Sequence, residues 1–105
     1  MPTFEDREKE FEARFKHDQE LRFKVTARRN RLLGLWAAEK MGLADAAAEA
    51  YAKTVVDAEF AGGDPHVVEK VTADLAAKGA AVTAAQVQFE LDHLAETAKQ
   101  QVMSE

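Results

Sequence analysis

The stretch FAGGDPHVV, residues 60–68, decides how this chain folds. Each glycine inside a helix costs about 1 kcal/mol relative to alanine, so two in succession mark an end. Glycine is favoured just past a helix and proline at its first position. Gly62 therefore reads as a C-cap, Gly63 as the turn, Asp64 as the next N-cap and Pro65 as the first helical residue. Upstream, a helix runs from an Asp45 N-cap to about Ala61, with Ala48, Tyr51, Ala52, Val55, Val56 and Phe60 on its apolar face. Downstream, Val67, Val68, Val71 and Leu75 form the face of another, which Gly79 closes. A loop this short between two amphipathic helices makes them antiparallel neighbours.

The same punctuation recurs on either side. Thr83 opens a further helix, and Gln86 three residues on completes a capping box. Its face reads Val87, Leu91, Leu94, Ala98 and Val102. Before Asp45, QELRFKVTARRNRLLGLWAAEKMG carries Leu21, Val25, Leu32, Leu35 and Trp36 at helical spacing, with Gly42 at the C-cap. Trp36 is the large core anchor of that helix, and Gly34 permits close approach of a neighbour. The sequence thus predicts an all-α chain: a small antiparallel four-helix bundle over residues 19–105, with a mobile or loosely docked amphipathic segment over 1–18.

That segment, FEDREKEFEARFKHD (4–18), is unlike a core helix. At 100° per residue, Phe4, Phe11 and Phe15 fall within about 40° of one another, whereas a core-facing stripe exceeds about 100°. Thr3 is its expected N-cap. Glu5–Lys9, Glu10–Arg14 and Glu12–Lys16 stand at i,i+4, each worth roughly 0.2–0.5 kcal/mol in an isolated helix. Two readings of the aromatic line stay open: it docks onto the bundle, or it inserts into a partner's groove. Whether the segment continues into the next helix or breaks near His17-Asp18 is also open.

Charge is segmented. Residues 1–20 carry seven acids and four bases, net −3; residues 21–31 carry five bases and no acid, net +5; residues 32–105 carry twelve acids and five bases, net −7. The central cations, Arg22, Lys24, Arg28, Arg29 and Arg31, either meet acidic partners or grip an anion. An acidic chain without interleaved aromatics argues against single-stranded nucleic acid. A nucleotide- or nucleic-acid-binding bundle using residues 22–31 is the alternative reading.

Other chemistry finds little support. There is no cysteine, hence no disulfide, thiolate site or cysteine nucleophile. His17, His66 and His93 lack metal-ligand spacing, and no phosphate loop or nucleophile elbow is present. The expectation is a protein that is not an enzyme, has no catalytic or metal residues and needs no cofactor. No apolar run could span a bilayer, and no secretory signal opens the chain, so a soluble intracellular protein is expected.

The series F-x-D-R-E, K-x-D-x-E-L-R-F-K and A-R-R-N-x-L-L-G-L-W-A-A, continued by EAYAKTVVDAEF and KVTADLAAKG, resembles the zeta subunit, the ATPase inhibitor of alphaproteobacterial F-type ATP synthases. The resemblance covers essentially the whole chain. It implies a four-helix globular domain and an N-terminal inhibitory segment that wedges at an alpha/beta catalytic interface near the gamma subunit, stopping hydrolytic rotation. Carried over, it makes Phe4, Arg7, Phe11, Arg14 and Phe15 the partner-binding residues. It also implies a cytoplasmic protein, peripheral to the inner membrane when bound to the synthase. The family's globular domain has been linked to nucleotide contact, for which Arg28, Arg29 and Arg31 are the candidates.

Overall fold

The computed structural model describes residues 3–105. Among them the fold is all-α: α1 (Phe4–His17), α2 (Gln19–Lys40), α3 (Asp45–Ala77) and α4 (Ala84–Met103). The molecule measures 51 × 27 × 23 Å. α2 is central and packs against α1, α3 and α4. The expected break at the paired glycines is real, although helical hydrogen bonding resumes so quickly that α3 is one bent element with arms over 45–61 and 64–77. Gly63 (φ 72°, ψ −162°) lies in a region essentially restricted to glycine, and this residue turns the chain. α2, the two arms of α3 and α4 make up the four-segment bundle.

The helix ends follow local chemistry. Thr3 and Thr83 both close capping boxes, with Asp6 and Gln86 as their partners. α2 ends in a Schellman arrangement, Leu43 N–H to Ala38 O at 2.9 Å and Gly42 N–H to Glu39 O at 3.1 Å, and α3 ends the same way at Gly79 and Ala80. Two caps differ from expectation. Asp45 is the first helical residue of α3, at φ 51°, and the N-cap is Ala44, whose methyl cannot accept a hydrogen bond. Asp64 spends its carboxylate on Arg29 of α2 rather than on a helix amide. A guanidinium offers a charge-assisted bond that outcompetes a neutral N–H.

Leu33, Ala37, Val55, Ala58, Val67, Val71, Leu75, Val87 and Leu91 form the main core, with Trp36, Tyr51 and Leu94 packed at its margin. Trp36 is therefore a flank of the core rather than its centre, and Lys40 lies 5.0 Å over its ring. Leu33, absent from the predicted face, takes the central place. Phe60 is the clearest departure: assigned to the core face, it is 68% exposed. It lies about 140° around the helix from fully buried Val55, at 100° per residue, and Ala58 fills an inward position instead. Gly34 acts as predicted, since a Cβ there would lie 2.6 Å from Ala52 Cα. Small residues on both helices bring α2 and α3 into backbone contact.

A latched helix and an internally neutralised basic run

α1 and α2 are separated by a single residue. Asp18 (φ −101°, ψ 102°) is at once the C-cap of α1 and the N-cap of α2, its Oδ1 accepting from Leu21 N–H at 3.1 Å. Arg22 reinforces the corner by donating to Lys16 O at 2.7 Å, a cation placed at the negative end of α1. The chain reverses there, and α1 lies back over the N-terminal half of α2 and the C-terminal half of α4.

The aromatic line is divided by this docking. Phe11 is 6% exposed, in a cluster with Leu21, Val25, Ala98 and Val102, and Phe15 is half-buried beside it, ring centres 6.2 Å apart. Phe4 remains outside, 59% exposed, and Arg7 and Arg14 also face solvent. The i,i+4 pairs expected along α1 do not close among the described residues. Glu12 turns to Lys99 of α4 (3.3 Å), and Arg14 reaches Asp18 at 4.0 Å. Lys99 also sits 4.4 Å over the Phe15 ring, so one lysine holds α1 in two ways. A residue 87 positions from its partner carries no local sequence signal, and Lys99 was missed for that reason.

Beyond Arg22, each cation of the basic run of α2 meets a carboxylate. Arg31 Nη2 donates to both carboxylate oxygens of Glu49, at 2.8 and 3.0 Å. Lys24 (3.0 Å) and Arg28 converge on Glu105, and Arg28 also donates to Gln101 at 2.9 Å. These two cations hold the Glu105 carboxyl below its usual range, Arg28 chiefly. Arg29 is the innermost, its side chain only 12% exposed. It bridges Asp64 (2.7 and 3.2 Å), Glu59 (3.3 Å) and the Oδ1 of fully buried Asn30 (3.0 Å), while Asn30 Nδ2 donates to Glu59 at 2.9 Å. Burial pushes the Glu59 carboxyl up, helped by the adjacent Asp64, whereas the Arg29 hydrogen bond holds Asp64 down. The network fastens α2 to the bend of α3, and its polar atoms are all satisfied. Of the sequence candidates, then, Phe11 and Phe15 meet in one cluster, Phe4 lies on the same face but beyond it, Arg7 and Arg14 are exposed, and Arg28, Arg29 and Arg31 are separately engaged.

Among the described residues no helix is long and apolar enough to cross a membrane, and no group of three or more histidines or carboxylates is placed to hold a metal. No curated protein matches the sequence. A family model does, over residues 1–101. The chain belongs to the family of ATPase inhibitor subunit zeta.

Proposed function

We propose that this chain inhibits ATP hydrolysis by the F-type ATP synthase, with residues 1–18 as the inhibitory segment and residues 19–105 as the globular domain that carries it. The segment inserts at an interface of the alpha, beta and gamma subunits of the catalytic head and blocks rotation in the hydrolytic direction. It acts from the cytoplasm, peripheral to the membrane. The observation that carries this reading is the way α1 is attached: a preformed, capped helix joined by one residue and held by two rings and one lysine. Phe4, Arg7 and Arg14 are already exposed in the docked helix. Phe11 and Phe15 join that set once α1 leaves the α2/α4 surface, so the docked helix is the closed form of the inhibitor. A nucleotide site at Arg28, Arg29 and Arg31 would need Arg29, whose nearly buried guanidinium is already taken by Asp64 and Glu59.

The test is a titration of ATP hydrolysis by the cognate catalytic head. Full-length chain is expected to inhibit, and a chain lacking residues 1–17 to lose inhibition while keeping its helical circular dichroism. Equal inhibition by both would remove α1 from the mechanism.

A further inference from the structure

Two large aromatic side chains lie in contact on the outside of the bundle. Phe23 of α2 is 54% exposed and Phe60 of α3 is 68% exposed, with ring centres 5.5 Å apart. Isolated exposed apolar residues are ordinary, but a contiguous pair from two elements forms a patch. Phe23 lies on the side of α2 opposite to Leu21 and Val25, about 160–200° away at 100° per residue, so it was never part of a core stripe. Phe23 also lines an open trough of about 720 Å³, with Leu21, Ala27 and Val56 as its other apolar walls. Its rim carries Arg14, Lys24, Arg28 and Arg31, against the carboxylates Asp18 and Glu20. Aromatic anchors bordered by arginines are the composition of protein-binding hot spots.

Resting on the reading of α1 as the inserted helix, we propose that this trough is a second docking surface, taken by an acidic segment with an apolar anchor at the mouth of the cleft in the catalytic head that α1 enters. Continuity gives the location. The last turn of α1 supplies Arg14 to the trough wall, so seating α1 to its base brings the cleft's edge against Phe23 and Phe60. Charge gives the chemistry. Two of the rim pairs are well solvated: the Lys24 and Glu105 side chains are 55% and 40% exposed, and those of Arg31 and Glu49 are 45% and 56% exposed. Surface pairs of this kind are worth at most about 1 kcal/mol and exchange readily for a partner's acids. Arg29, locked inside the α3 bend, is not part of this surface.

The experiment measures both binding to the head, by an immobilised-head assay, and inhibition of its ATP hydrolysis. It compares full-length wild type, Phe23→Ser/Phe60→Ser and Lys24→Gln/Arg31→Gln, with thermal unfolding of each as a fold check. Both double variants are expected to weaken binding at least tenfold, leave maximal inhibition at saturation unchanged, and, for the charge variant, flatten the salt dependence. Wild type that binds through Phe23 and Phe60 without inhibiting would leave the surface standing and remove the inhibitory reading. Wild type that inhibits with both variants superimposed on it would do the reverse. A head that neither binds nor responds overturns both. Sedimentation equilibrium supplies the other exit: a wild-type dimer dispersed by Phe23→Ser/Phe60→Ser would make a second copy of the chain the occupant and overturn the proposal.

Discussion

In the closed chain Lys99 holds α1 twice, through Glu12 at 3.3 Å and through the face of Phe15 at 4.4 Å. Both contacts are partly solvated, the Lys99 and Glu12 side chains being 25% and 43% exposed, so each is counted as a surface contact. An ion pair of this kind contributes about 0.2–1 kcal/mol, and a solvated cation–π contact about 0.5–1 kcal/mol. Lys99→Ala therefore loosens α1 by about 1 kcal/mol, a roughly fivefold rise in the open fraction. Apparent affinity scales with the competent fraction while that fraction is small. The substitution is thus expected to make a tighter inhibitor: the half-inhibitory concentration falls about fivefold, and amide exchange across residues 4–17 of the free chain quickens by the same factor. Faster exchange with unchanged or weaker inhibition would refute the argument, because it would show that release of α1 does not limit inhibition or that Lys99 itself contacts the head.

Further predictions concern the bundle. Gly34→Ala sets a methyl 2.6 Å from Ala52 Cα; overpacking of about 1–3 kcal/mol outweighs the propensity gain of up to about 1, and the melting temperature falls by several degrees. An unchanged melting temperature would contradict the close approach of α2 and α3. Gly63→Ala forces a side chain into the glycine-only conformation at the α3 bend and is expected to cost about 1–3 kcal/mol by denaturant titration, with no loss if the bend tolerates another turn. The Glu59 carboxyl is raised in the fold, so its protonation adds stability as pH falls through its folded value toward its unfolded one near 4.5. Asp64 and Glu105 are lowered, so their contribution is full above the ordinary carboxylate range and is lost as pH falls through their folded values. A melting-temperature profile should accordingly climb below neutrality before dropping in acid, and Glu59→Gln should abolish the climb; a climb that persists in the variant assigns it elsewhere.

What could be read from the chain was whatever is encoded within a few residues. The paired glycines, the Thr3 and Thr83 capping boxes and the periodic faces of α3 and α4 all act over one or two turns, and each came through except for Phe60 on the α3 face. What escaped is tertiary. Glu12 had a lysine four residues on, yet pairs with Lys99, because packing α1 onto α4 offers a partner that a free helix lacks. Asn30 is an unremarkable polar residue in an arginine-rich run until α3 bends over it and buries it whole. The run RRNR was legible as charge but not as three separate attachments, since its acids lie 18 to 77 positions away. At α1 the aromatic spacing identified the narrow face correctly; which ring is buried depended on where Asp18 turns the chain.

Asp18 also sets what α1 can reach. Fourteen helical residues make a rigid arm of about 21 Å. A 60° change at that one joint carries Phe4 through about 21 Å, a sweep close to the width of the bundle itself, without altering a hydrogen bond inside either helix. The bundle need not deform or unfold to deliver its tip. On the function proposed above, it serves as a fixed mount with a single pivot.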